Sequence, residues 1–296
     1  LDIIKEKENF MKTPMILDGA MGTELQNRGI EVPLPLWSAN ANIEHPHIVT
    51  DIHRDYIKAG SDIIITNTFR STPWTYRKAG YGKAKAKDLA RSSLYKGVEC
   101  AQKAVIDSVK IAGSITSVGD CYTPSDYPGR SIVEDTYGYS LEWLTDAGID
   151  IVLFETMGNI KEISCALEMV AGYSMPVWLS IIIKDDIHIL DGTLIQDGFE
   201  IIGQHKLDCI MINCNQIDTT INGIQNIISQ WDGQWGAYPN LGNIDYENDY
   251  FTIIDEPNFK RAITTLLSYK PDVIGLCCGS TPKHIIELKN LLKTIG

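Results

Sequence analysis

Residues 45–69 read HPHIVTDIHRDYIKAGSDIIITNTF. The first sixteen residues carry a helical pattern that stops at Gly60, and glycine commonly stands just past a helix end. The chain then turns to a β-branched run, Ile63–Asn67, with strand composition. This joint recurs in both directions. Further strands are predicted at 15–18, 110–115, 151–155, 177–182, 208–213, 235–238 and 273–276. Helical patterns lie between most of them, for example at 86–105, 137–148, 159–173 and 258–270. Eight strands alternating with helices over about 280 residues predict an α/β chain folded as a (β/α)8 TIM barrel. The alternative is a doubly wound open sheet, but no Gly-x-Gly-x-x-Gly follows any predicted strand. A single domain is expected over 1–296, with 1–13 as an N-terminal lead-in.

That lead-in begins LDIIKEKENFM, is charged, and lacks the regions of a signal peptide; Met11 is a candidate initiator in place of Leu1. The longest apolar runs, such as PVWLSIII at 176–183, fall well short of a membrane span. A net charge of −12 excludes the basic surface that nucleic acid requires. Seven cysteines, an odd number without a secretory signal, point to a reducing, cytoplasmic setting and away from a disulfide framework. Oligomeric state is not legible.

Barrel chemistry sits at the C-terminal ends of the strands. There the sequence places Asp18, the TNTF segment with Thr66 and Thr68, Glu155, the NCN segment 213–215, YPN at 238–240, and the doublet Cys277–Cys278. Cys214 belongs to the sixth strand and the doublet to the eighth, so the three thiols can converge above the barrel mouth. Taken alone, the doublet is compatible with buried packing, a redox pair or metal ligation. Three thiols at strand ends, without the C-x2-C spacing of a structural knuckle, favour zinc with an open position. Ser280 or Thr281 followed by Pro282 reads as a helix start, with His284 structural in its first turn. Lys184, after the fifth strand, is the amine required by a Schiff-base alternative, and its neighbours Asp185 and Asp186 disfavour a neutral amine.

Taken in order, LDGAMGTEL (17–25), PLWSA (35–39), DYIKAGSDIIITNTF (55–69), LFETM (153–157), HILDGT (188–193), NCN (213–215), YPN (238–240) and CCGSTPKHI (277–285) resemble the homocysteine S-methyltransferases, over about 16–286. The resemblance implies a (β/α)8 barrel and a Zn2+ ion held by Cys214, Cys277 and Cys278. It further implies that homocysteine binds through its thiol and takes a methyl group from a small donor. Asp18 and Glu155 would meet the substrate ammonium, and backbone N–H groups around Gly19–Met21 its carboxylate. Thr66 and Thr68 would add hydroxyls, and Asn213 and Asn215 would orient the ligand loop. PLWSA and the chain length resemble the group that uses S-methylmethionine. Betaine, S-adenosylmethionine and methyl-corrinoid are the family's other donors, and a non-catalytic thiol or sulfonium binder is a further alternative. The stretch GSITSVGDCYTPSDYPG (113–129) departs from the GPYGA-like sequence of the S-methylmethionine group; it carries Cys121, for which no role is expected. Leu276 stands where the family usually has glycine.

Overall fold

The computed structural model describes residues 13–245 and 249–295. The predicted lead-in lies, up to residue 12, outside the described residues. The strands are β1 (Met15–Ile16), β2 (Ile63–Ile65), β3 (Lys110–Ile115), β4 (Ile151–Met157), β5 (Val177–Ile181), β6 (Cys209–Gln216), β7 (Gln234–Asn240), β8 (Gly242–Asp245), β9 (Asp249–Ile253) and β10 (Val273–Ile274). The principal helices are α1 (Met21–Asn27), α2 (Ala41–Glu44), α3 (Pro46–Ala59), α4 (Pro73–Lys78), α5 (Lys83–Ala104) and α6 (Arg130–Ala147). They continue as α7 (Ile160–Met169), α8 (Ile195–Ile202), α9 (Ile217–Ile228), α10 (Glu256–Ser268) and α11 (Pro282–Ile295).

Eight strands form one parallel sheet in the order β1-β10-β7-β6-β5-β4-β3-β2. A parallel bridge between Leu17 and Ile63 joins its two edges, so the sheet closes into the barrel that the alternating pattern predicts. The expected glycine stops are present: Gly60 ends α3 at φ 118° and Gly148 ends α6 at φ 85°, conformations that cost glycine little.

Two apolar cores hold the barrel. The larger lies between strands and helices, with Val152, Phe154, Ile210 and Ile212 among its members. The smaller takes the alternate residues Ile151, Leu153, Cys209 and Met211 and fills the barrel interior with Trp178, Tyr238 and Val273. Burial on both faces explains why these strands read as continuous apolar runs. A recurrent aspartate sets the register at the opposite end from the predicted site. Asp62, Asp150, Asp208 and Asp272 each precede a strand and accept the N–H of a neighbouring strand residue: Ile16 at 2.8 Å, Ile111 at 2.8 Å, Val177 at 2.9 Å and Trp235 at 3.3 Å.

Three differences from the sequence reading concern the site. β1 and β10 are two-residue strands, shorter than 15–18 and 273–276, although Leu17, Asp18, Gly275 and Cys277 still donate backbone hydrogen bonds to neighbouring chains of the barrel. β4 and β6 run past their predicted ends, to Met157 and Gln216, each through a register shift. An antiparallel hairpin, β8 with β9, is inserted after β7; the sequence reading did not anticipate it. Among the described residues no helix is long and apolar enough to cross a membrane.

Candidate functional site

At the C-terminal ends of the strands a cavity of about 640 Å³ opens, lined by Glu155, Cys214, Cys277 and Cys278 among others. Simple strand alternation does not bring Cys214 there. Cys209 and Met211 point into the barrel, so period two would turn residue 213 inward and residue 214 outward. A left-handed backbone at Cys214 (φ 53°) and a register shift between Asn213 and Gln216 re-aim the side chain. A non-glycine residue in that region is held only where its surroundings impose it. Thr156, at the matching irregularity of β4, also has positive φ (57°), and its hydroxyl faces Cys214 Sγ at 3.6 Å.

The two asparagines that flank Cys214 bind neighbouring strand ends. Asn213 Oδ1 accepts from Thr156 N at 2.9 Å and Ser180 Oγ at 2.7 Å, while its Nδ2 donates to Thr156 Oγ1 at 2.8 Å. Asn215 accepts from Ile183 N at 3.0 Å and donates to Ile183 O at 2.7 Å. Asn240, not singled out from the sequence beyond its place in YPN, joins the two cysteine loops. Its Nδ2 donates to Cys214 O at 2.7 Å and its Oδ1 accepts from Cys278 N at 3.1 Å. Asn240→Ala is expected to lower zinc affinity about 10- to 100-fold with little change in fold; competition against a chromogenic chelator measures it.

All seven cysteines are free. The sulfurs of Cys214, Cys277 and Cys278 lie within 4.8 Å of one another, with Cys214–Cys277 at 2.6 Å and Cys277–Cys278 at 4.0 Å. Each of these thiols shifts the titration of the others. Hydrogen bonds from Cys214 and Cys277 hold Cys278 well below the ordinary thiol range. Cys277 is pushed well up, first by its bond to Cys214. At Cys214 the downward pull of Cys277 is outweighed by the bond to Cys278 and by burial. Three thiols that perturb one another at such short range are a donor set suited to a dication. This donor set fits zinc, which accepts several thiolates at one centre.

Two carboxylates stand close by. Glu155 is 8% exposed; Ser114 Oγ donates to its Oε1, and Tyr238 OH to its Oε2 at 3.4 Å. Burial raises its pKa to about 7, against the pull of Ser114. Asp18 is 3% exposed and accepts Ile65 N at 3.0 Å through Oδ2, while Oδ1 has no hydrogen-bond partner. Burial raises Asp18 well above the carboxylate range, and the Glu155 charge adds to this. His53 Nδ1 is 3.9 Å from Asp18 Oδ2, but burial lowers His53 to about 3, so the imidazole is neutral and supplies no counter-charge. A cationic group is what this acidic corner lacks. For the zinc-stripped protein, the folded state holds protons on Glu155 from about pH 4.5 to about 7 that the unfolded chain has released. Stability should therefore fall as pH rises through that window, by up to about 3 kcal/mol. Denaturant titrations of stripped wild type and Glu155→Gln should show a flatter profile in the variant.

Of the other predicted residues, Gly19 and Thr66 line the cavity and Thr68 does not. The two threonine hydroxyls bond to each other at 2.7 Å, and Thr68 donates to Ser114 O at 2.8 Å. A Cβ on Gly19 would lie 2.6 Å from the Tyr56 ring and from Ser280 Oγ, so that turn requires glycine. The Ala20 N–H, one of the donors expected for a substrate carboxylate, is already given to Ser280 Oγ at 2.9 Å. Ser280 thus ties two site loops together. His284 keeps the structural place expected of it, its Nδ1 3.0 Å from Thr281 Oγ1 and its ring against Phe259. Lys184 is exposed and outside the cavity lining, which removes the amine nucleophile. Cys121, for which no role was expected, does line the cavity, together with Arg70 and Tyr122. Cys100, Cys165 and Cys209 are buried packing residues.

A sequence profile described as Homocysteine S-methyltransferase matches residues 15–292. The chain is 29% identical over 301 residues to a homocysteine S-methyltransferase of Escherichia coli (strain K12), covering 93% of this chain and 94% of that one. It is 26% identical to homocysteine S-methyltransferase 3 of Zea mays, covering 94% and 90%. In three dimensions it is similar to the metallated form of the homocysteine methyltransferase MmuM from Escherichia coli, with a TM-score of 0.81, 26% identity, and 94% and 96% of the two chains covered.

Proposed function

The chain belongs to the homocysteine S-methyltransferase family, and on that premise we propose that it moves a methyl group from S-methylmethionine to the thiol of homocysteine, giving methionine. The observation that carries this reading is one cavity lined by three convergent thiols and the buried carboxylate of Glu155, with Asp18 buried close by but outside the lining. An α-amino acid bearing a thiol brings the matching groups: sulfur for the metal centre and ammonium for Glu155 and Asp18.

Cys214, Cys277 and Cys278 would hold the zinc. Bound there, it would supply Lewis acidity that keeps a substrate thiol ionised at neutral pH, while the three cysteine sulfurs would leave it electron-rich. Glu155, oriented by Ser114 and Tyr238, pairs with the ammonium, and Asp18 stands near it outside the cavity lining, its Oδ1 buried. The ammonium restores the charge that burial disfavours, so both carboxylates ionise more readily with substrate present. Thr66, its hydroxyl already accepting Ser114 N at 3.1 Å, fixes the wall beside them. Asn213, Asn215 and Asn240 hold the cysteine loops in place. Trp37, Phe69 and Trp74 on the lining limit water around the reacting groups.

In the reaction, a lone pair of the homocysteine sulfur forms the new S–CH3 bond. The S–CH3 bond of the donor sulfonium breaks, and its electron pair stays on the donor sulfur. With S-methylmethionine, both products are methionine, and the homocysteine thiol proton goes to solvent. Aligning the two sulfurs is the main contribution expected of the protein. The test is a donor panel at fixed homocysteine: S-methylmethionine, S-adenosylmethionine, betaine, methylcobalamin and 5-methyltetrahydrofolate. S-methylmethionine is expected to give the highest kcat/KM. Methionine formed fastest from another donor would reassign the donor, and none from any donor would overturn the reading.

A further inference from the structure

Thr156 holds a left-handed backbone (φ 57°) at the register shift of β4. For a β-branched residue that conformation is an outlier, held only because the surroundings impose it. What threonine supplies there that glycine would not is a hydroxyl, and the hydrogen bonds around it fix where its proton points. Asn213 Oδ1 accepts the backbone N–H of Thr156 at 2.9 Å and the hydroxyl of Ser180 at 2.7 Å. A backbone N–H can only donate, so this edge of the Asn213 amide is its carbonyl and the other edge its NH2. Asn213 Nδ2 therefore donates to Thr156 Oγ1, at 2.8 Å, and the threonine oxygen is the acceptor. The O–H of Thr156 is left for Cys214 Sγ, 3.6 Å away. Thr156, Ser180 and Asn213 are all 0% exposed, so bulk water does not compete for these bonds.

Cysteine thiols give up their protons when they ligate a metal, whereas a threonine hydroxyl keeps its own. Three cysteine thiolates leave a zinc ion with a net negative formal charge, and a substrate thiolate adds to it. A hydrogen-bond donor on one ligand sulfur draws charge from that sulfur and eases the entry of a fourth. We infer that the Thr156 hydroxyl donates to the Cys214 thiolate of the loaded centre, weakens Cys214 as a donor and so strengthens the hold of the metal on the substrate sulfur. Thr156 lies outside the cavity lining; it is a positioning residue that acts through Cys214. The inference rests on the methyl-transfer reading only for its effect on homocysteine, since its effect on the ligand sulfur requires the metal site alone.

Protein loaded with Co2+ in place of zinc tests this without substrate, because its sulfur-to-cobalt charge-transfer band moves to longer wavelength as a ligand thiolate becomes more electron-rich. Thr156→Val keeps the branched shape and removes the hydroxyl, and its band is expected at longer wavelength than that of wild type. Thr156→Ser keeps the hydroxyl and should leave the band in its wild-type position. Thr156→Ala also lacks the hydroxyl and is free of the branching, so it gives the same comparison if Thr156→Val does not fold. In the zinc-loaded form, Thr156→Val should raise the homocysteine KM about 3- to 10-fold, the scale of one hydrogen bond, and Thr156→Ser should restore it. An unmoved band in the variants without the hydroxyl would overturn the inference, as would an equal shift in Thr156→Ser. Absence of methyl transfer by wild type from every donor would overturn the methyl-transfer reading, and the band positions would still decide whether Thr156 donates to Cys214.

Discussion

Cys277→Ala is expected to abolish zinc retention and to lower methyl transfer to homocysteine by more than about 1000-fold. Its sulfur is 2.6 Å from Cys214 and 4.0 Å from Cys278, so its removal leaves two thiols where three converge. A site with three protein ligands tolerates such a loss poorly, since the ligands set both affinity and charge. Cys277→Ser, which keeps the size and loses the thiolate, should behave like the alanine variant. Cys209→Ala is the control. Its sulfur lies inside the barrel, so it should lower thermal stability, by about 1–3 kcal/mol, and keep full zinc and turnover. Zinc by mass spectrometry after dialysis against a chelator, with initial rates, separates these outcomes. Full zinc in Cys277→Ala would contradict the assignment of the ligands.

The second large effect is at Glu155. Glu155→Gln is expected to lower kcat/KM for homocysteine by about 100- to 1000-fold, the scale of losing one partner of a buried charge pair. Zinc content should not change, since Glu155 is held by Ser114 and Tyr238 and not by the cysteine loops. The effect should be specific to the amino group. With 4-mercaptobutyrate, which keeps the thiol and carboxylate and lacks the ammonium, wild type and variant should be nearly equal. Initial rates with both thiols give the comparison. An equal loss on both would mean that Glu155 supports the site's shape and not the ammonium.

Much of this architecture was legible because its signals are local. A helix that ends in glycine, followed by a short apolar strand, could be counted, and parallel strands buried on both faces give uniform runs such as Ile63–Ile65 and Ile151–Phe154. Strand-end chemistry then pointed to Asp18, Glu155 and the three cysteines. What remained hidden depends on backbone geometry and long-range contact. Strict alternation would have turned Cys214 out of the barrel, and only the positive φ there and the register shift bring it to the mouth. Asn240 reads as a turn residue until its hydrogen bonds to both cysteine loops are seen. His53 is one polar residue on an otherwise ordinary amphipathic helix, and its place beside Asp18 is set by the packing of α3. The place of Cys121 in the cavity lining was missed because 116–129 has little regular structure, and nothing in its pattern indicates that it meets the cavity.

The most direct test is transfer of an isotopically labelled methyl group from S-methylmethionine to homocysteine by zinc-stripped and zinc-reloaded protein, read by mass spectrometry of the methionine formed. The account predicts label in homocysteine-derived methionine with reloaded protein and almost none with stripped protein. Equal transfer by stripped and reloaded protein would contradict a role for the three-cysteine centre in the reaction.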